Sequence, residues 1–291
     1  MAQILKGLPA ANALTQILAE RVTALNEKNV TPTLAILRVG ERGDDISYET
    51  GAMKRCAKVG IAVRQFLLPG DCTQKQLLDT IRQINEDASI HGCLMFRPLP
   101  DKAMEEAACR LLSPEKDVDG MTAGSLATVF AGKGAGYPPC TAEACMELLD
   151  HYGIPLEGKQ VTVIGRSLVI GKPVSMMLQA RNATVTMCHT KTVNMAEVCR
   201  NAEILVVAAG KAGVVDGSFA APGQIVVDVG INVNAEGKLC GDVSYAEVEP
   251  VVEAITPVPG GVGSVTTAVL AKHVVEAAEK RVRDERAFEK G

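Results

Sequence analysis

The stretch Gln160–Pro173, QVTVIGRSLVIGKP, constrains the fold more than any other, because it reads as a buried strand running into a glycine turn and a helix start. Val161, Val163 and Ile164 supply the β-branched apolar run, Gly165 lets the backbone turn tightly, and Gly171 lets the next helix approach closely. Backbone N–H groups at such a helix start face an anion, and Arg166 adds a planar cation with Ser167 beside it. The spacing G-R-S-L-V-I-G departs from GxGxxG, so a strand–glycine–helix junction without a ligand also fits these residues.

The following strand, Ala183–Cys188, ends about 20 residues after the turn, where an NAD site places a carboxylate on the ribose hydroxyl. Here the chain has His189, Thr190, Lys191 and Thr192. No carboxylate repels a 2′-phosphate, and hydroxyl and cationic groups stand ready to bind one, which favours NADP over NAD. Gly165, Arg166, Ser167, Gly171 and Thr190 are the expected cofactor-binding residues, with a solvated loop as the alternative for the last.

A chain of 291 residues with 47% hydrophobic content buries two cores of ordinary size more readily than one large one. A formal net charge of −4, with no basic block, argues against a nucleic-acid or anionic-membrane partner. Nine cysteines without a C-x-x-C pair are expected to be reduced, mostly buried thiols of a cytoplasmic protein, with no metal site. Neither an export signal nor a membrane span is expected, since no apolar run reaches the roughly 18 residues a span requires.

Leu14, Ile17, Leu18, Val22 and Leu25 recur at helical spacing before a buried strand at Thr33–Val39. Helices over about 47–59, 73–84 and 102–112 then alternate with strands at 61–67 and 92–95, which implies βαβ units and a parallel sheet. The glycine- and proline-rich run 131–139 marks a boundary. Beyond it come a helix over 141–151, the strand–turn–helix, and short buried strands at 204–207 and 225–228. A last apolar helix follows a proline–glycine loop, and the segment after Glu279 reads as a solvated end.

Taken in order, PEKDVDG (114–120), PPCT (138–141), GRSxxxGKP (165–173), CHTKT (188–192), DVGIN (228–232), GDV (241–243) and TPVPGGVG (256–263) resemble the methylenetetrahydrofolate dehydrogenase/methenyltetrahydrofolate cyclohydrolase family over essentially the whole chain. The resemblance implies a two-domain α/β fold around a cleft. A folate-binding, catalytic parallel-sheet domain would span 1–139, completed by the C-terminal helix 264–291, and a Rossmann-like NADP-binding domain would span 140–263. It further implies a homodimer, a reduced folate (tetrahydrofolate) as substrate, Asp119 as the pterin anchor and a catalytic group, Tyr48 as a catalytic and substrate-binding group, and Phe96 as a residue beside the substrate. Pro259, Gly260 and Gly261 would lie beside the substrate, and Ile231 would contact the cofactor. A carboxylate suits a pterin because the amino-pyrimidinone edge presents adjacent donors to one acceptor pair. Asp228 and Ile231 follow a buried strand, at the carboxyl edge where open α/β sheets bind ligands.

The departures cluster on the pterin side. The family's Tyr-x-x-x-Lys pair is broken, since Ala52 stands four residues after Tyr48; Lys54, about 240° around the helix, does not replace the lysine. Phe96 occupies the family glutamine's place with Arg97 beside it, Asp45 occupies that of a serine, and Ser264-Val265 replaces a Pro-Met pair. Hydride transfer needs mainly positioning, whereas hydrolysis of the methenyl group needs a tuned acid–base group. Dehydrogenase activity with weakened cyclohydrolase activity is therefore expected. The alternatives are an NADP oxidoreductase for a different small substrate and a folate- or nucleotide-binding paralogue without turnover.

Overall fold

The structure, a computed structural model, describes residues 1–289, with side chains through 284. The chain divides into two compact units, one of residues 12–140 with 267 onward, the other of residues 1–11 with 141–266.

The unit built on residues 12–140 carries a three-stranded parallel sheet in the order Ala62–Leu68, Thr33–Val39, Gly92–Met95. The central strand is buried at every position, including Arg38, whose charge is paired inside the fold. Helix Gln74–Glu86 turns Leu77, Ile81 and Ile84 onto the sheet and starts at Thr73, whose hydroxyl and the Gln76 side chain form a reciprocal cap. Leu37, Met95, Ile81 and Ala108 meet in its core. A buried ion pair fixes helix Gly43–Val59 to the strands: Arg38 donates to Glu49 at 2.8 Å, and Gln65 donates to the other Glu49 oxygen.

In the other unit the sheet has six parallel strands in the order Gln3–Ile4, Ala254–Ile255, Ile225–Asp228, Ile204–Val207, Gln160–Ile164, Thr184–Cys188. A short antiparallel hairpin pairs Asn232–Val233 with Leu239–Cys240. Among the described residues no helix is long and apolar enough to cross a membrane. All nine cysteines are free thiols.

Three features differ from the sequence reading. Residues 1–11 pack with the six-stranded unit, not with 12–139, because Gln3 and Leu5 donate to the Glu253 and Ile255 carbonyls at 2.8 and 2.9 Å and add an edge strand. A helix unseen in the sequence, Ala123–Ala131, follows Thr122, whose hydroxyl accepts from the Ser125 amide. The last helix runs from Thr266 to Glu289, past the expected solvated end at 279, and is tied down by Arg21–Glu279 at 2.7 Å and Lys280–Glu115 at 3.0 Å.

Candidate active site

In the three-stranded unit the expected pterin residues converge on the carboxyl end of strand Gly92–Met95. The Cys93 amide donates to the Lys116 carbonyl at 2.6 Å and Cys93 bridges to Asp117 in parallel register, so the PEKDVDG segment extends this edge of the sheet. Asp117 is fully buried, and its carboxylate accepts from the Met121 and Thr122 amides at 3.1 and 2.7 Å, which closes the loop that presents Asp119. Gly120 adopts φ +69°, and a Cβ there would lie 2.4 Å from the Pro139 nitrogen, so the PPCT segment packs directly on this turn. Behind it, the Cys140 thiol donates to the Val118 carbonyl at 3.3 Å, and His273 Nδ1 donates to the same oxygen at 2.7 Å while its ring lies on Tyr137.

Asp119 itself is half-buried, and desolvation pushes its carboxyl up to about 6 against the hydrogen bond from Cys140; Asp117 adds to the rise, while Arg97 and His273 oppose it. It is mostly ionised at neutral pH and takes up its proton in mild acid.

Tyr48 lies half-buried on helix Gly43–Val59, its ring edge-on to Phe96 with centroids 6.0 Å apart and planes at 82°. Phe96 is 8% exposed, so an apolar ring fills the position expected of a glutamine. Ala52 is fully buried on the face that also carries Asp45, Glu49, Cys56 and Val59, whereas Lys54 is exposed. The tyrosine thus has an aromatic neighbour, and neither Ala52 nor Lys54 gives it a cation.

In the six-stranded unit, Gly165 takes φ +120° at the end of its strand, and a Cβ on it would lie 2.1 Å from the Ala208 carbonyl oxygen. A Cβ on Gly171 would lie 2.2 Å from the Gly165 oxygen, so turn and helix meet through two glycines. Arg166 and Ser167 are exposed, the Ser167 hydroxyl accepting from the Ile170 amide at 3.1 Å. The helix Gly171–Ala180 offers fewer free amides than its sequence implies, because Lys172 and Val174 donate to Ser167 and Ile170 carbonyls and Pro173 has no N–H. Gly165→Ala is expected to weaken nucleotide binding and to cost about 1–3 kcal/mol of stability, since the residue must hold a glycine conformation against a carbonyl; thermal melts of the variant with and without nucleotide check both effects.

The second strand's loop is self-braced. His189 donates its amide to the Thr192 hydroxyl at 2.9 Å and accepts the Lys191 amide on Nδ1 at 3.1 Å, leaving Thr190 and Lys191 exposed.

One carboxylate that the sequence places near a ligand is instead internal. Asp228 is 3% exposed and accepts amides from Gly230, Asp242 and Val243 at 3.0 to 3.1 Å, burial pushing it up to about 6 while these amides pull it down. Asp242 is fully buried and accepts from Ala209, Gly210, Lys211 and the Asn232 side-chain amide at 2.6 to 2.9 Å. A Cβ on Gly241 would sit 1.8 Å from Asp228 Oδ2, which accounts for the GDV motif as packing. This network leaves Ile231 67% exposed at the rim of a cavity of about 240 Å³ lined also by Pro257, Pro259, Gly260 and Gly261. The Gly7 amide, donating to the Gly260 carbonyl at 2.8 Å, holds that proline–glycine loop in place.

Comparison with known proteins agrees over the full length. The tetrahydrofolate dehydrogenase/cyclohydrolase catalytic-domain model matches residues 5–119, and the NAD(P)-binding-domain model of the same family matches residues 139–282. The chain is 50% identical over 281 residues to the bifunctional protein FolD of Carboxydothermus hydrogenoformans, covering 96% of this chain and 98% of that one. It is 48% identical over 277 residues to that of Clostridioides difficile, covering 95% and 96%. Among solved structures, FolD methylenetetrahydrofolate dehydrogenase/cyclohydrolase from Campylobacter jejuni superposes with a TM-score of 0.91 at 36% identity, covering 97% of this chain and all of that one. The Trypanosoma brucei enzyme, solved with NADP cofactor and an inhibitor, gives 0.89 at 33%, covering 97% and 99%.

Proposed function

This chain belongs to the tetrahydrofolate dehydrogenase/cyclohydrolase family, and we propose that it oxidises 5,10-methylenetetrahydrofolate to 5,10-methenyltetrahydrofolate with NADP, with severely reduced hydrolysis of the product. The observation that carries the reading is the Asp119 loop, whose desolvated carboxyl is presented by a buried frame of Asp117, Cys140 and His273. That frame suits a ligand with adjacent N–H donors, and it stands intact while the acid–base groups expected nearby are replaced.

NADP would supply the hydride acceptor, held by residues of the glycine turn and its neighbouring loop. Gly165 and Gly171 keep the turn open for its phosphates, and Arg166 and Thr190, both exposed with no carboxylate among residues 189–192, take the 2′-phosphate. Ser167 and Ile231 line the same path. Asp119 accepts the pterin's ring and amino N–H groups and fixes the folate, with Tyr48 and the ring of Phe96 forming an apolar wall that excludes water. The chain's contribution to hydride transfer is position and a dry surface, since the folate's own nitrogens stabilise the cation that forms. Hydrolysis would demand a held water and a group to take its proton, and neither Ala52 nor Phe96 supplies one.

The family reading extends to a homodimer in the cytoplasm. Calorimetric titration of the purified protein with tetrahydrofolate and with NADPH tests the binding half of the reading, and failure of either ligand to bind contradicts it. Arg166→Ala is expected to weaken NADP about tenfold or more, the value of one charge-assisted contact, with little effect on NAD. Equal affinity of the unmodified protein for both nucleotides would contradict the assignment.

A further inference from the structure

Arg97 is the residue that the sequence departures leave without a role. It follows Phe96 at the carboxyl end of strand Gly92–Met95, and the Cys93–Asp117 bridge brings the Asp119 loop off the same sheet edge only a few residues away. Its guanidinium is half-buried against helix Lys102–Leu111, 3.6 Å from Glu105 Oε1, while Glu105 Oε2 accepts the Leu99 amide at 2.8 Å and so holds the turn. Cys109 on the same helix packs its sulfur 4.0 Å from that of Met121 in the Asp119 loop. Arg97 thus stands between that helix and the loop, held by one long ion pair that leaves guanidinium N–H donors to spare.

We propose that Arg97 is a specificity-determining residue that donates to the 4-carbonyl of the pterin while Asp119 accepts from the neighbouring ring and amino N–H groups. The amino-pyrimidinone edge presents donors followed by an acceptor, and a carboxylate beside a guanidinium is the complementary order. This assignment rests on the reading of reduced folate as substrate. The charge of Arg97 also reaches the Asp119 carboxyl and holds it down, together with His273 and the Cys140 thiol, against the opposing charge of Asp117.

The test compares Arg97→Ala and Arg97→Lys with the unmodified protein, each titrated calorimetrically with tetrahydrofolate, with its 4-amino analogue and with NADPH between pH 5 and 8. The analogue replaces the acceptor carbonyl by a donor amine, which a guanidinium cannot satisfy, and turns the neighbouring ring N–H into an acceptor, which the Asp119 carboxylate cannot satisfy. The expected result is a preference of the unmodified protein for the 4-oxo ligand of about a hundredfold or more, reduced about tenfold in Arg97→Ala, where Asp119 still reads the ring N–H, with NADPH affinity unchanged. The pH at which folate binding is half lost should move upward in Arg97→Ala and stay in place in Arg97→Lys, whose ammonium keeps the charge and restores the 4-oxo preference only in part. Loss of affinity for both ligands alike, with their ratio preserved, would make Arg97 a structural brace and overturn the proposal. An unmodified protein that binds tetrahydrofolate but shows no preference between the ligands would overturn it as well. Failure of the unmodified protein to bind tetrahydrofolate at all would instead overturn the folate reading, and this assignment with it.

Discussion

Asp119→Ala is expected to weaken tetrahydrofolate by about a hundredfold or more, because two charge-assisted hydrogen bonds from the pterin are lost together. NADP affinity should not change, since the residues assigned to it lie in the other unit. Calorimetric titration of each ligand separates the two effects, and folate affinity retained within a factor of two would make Asp119 a plain turn carboxylate. The raised pKa gives the prediction a sign in pH. With the carboxyl at about 6 in the folded protein, folate binding should weaken as pH falls through 6 and the acceptor is protonated. Stability runs the other way: the folded state holds the proton more tightly than the unfolded chain, so this group's stabilising contribution is full below about pH 4 and is lost as pH rises through about 6. Asp119→Asn should therefore raise stability at pH 7.5 by about 1–3 kcal/mol and by roughly half as much at pH 5. Denaturant melts at the two pH values read this directly.

Methenyltetrahydrofolate hydrolysis is expected to be slower by about 10² to 10⁴ than acid–base help would allow, and this deficit is the largest effect anticipated for the unmodified chain. Its cause is local. Ala52 is fully buried beside Glu49 and Cys56, and Phe96 closes on the Tyr48 ring, so no side chain at either position holds a water or takes its proton. Ala52→Lys alone should recover little, because the new side chain must enter a packed face while Phe96 still excludes water. The double change with Phe96→Gln should recover more than the sum of the single changes, as groups acting as one unit do. Additive recovery, measured as the rate of loss of methenyl absorbance, would show that the two positions do not cooperate. Arg97 offers no escape as a base, since a guanidinium keeps its proton at neutral pH.

Much of this was legible in the chain because period and composition act locally. The largely apolar run Thr33–Val39 became a strand buried at every residue, and Gly165 and Gly171 proved to be positions where a Cβ has no room. Features that depend on distant partners were not legible. Gln3–Ile4 is too short to carry a period and is a strand only because Ala254–Ile255 lies open beside it. Helix Ala123–Ala131 hides behind a glycine at its second position, and its start rests on the Thr122 cap. Asp228 read as a ligand-facing carboxylate at a strand end, yet it is saturated by backbone amides, two of them from a segment more than ten residues away. The aligned absence at Ala52 was visible at once; that Phe96 would seal against Tyr48 was not, because the two residues meet only in three dimensions.

The most direct measurement follows NADPH formation and methenyl absorbance together in one reaction of the purified, unmodified protein with 5,10-methylenetetrahydrofolate and NADP. The account predicts that NADPH appears and that methenyltetrahydrofolate accumulates alongside it, mole for mole, through the early reaction. NADPH appearing while methenyl absorbance stays flat would mean that hydrolysis keeps pace with hydride transfer, and the absence of NADPH would mean that the scaffold binds its ligands without turning them over; either result contradicts the account.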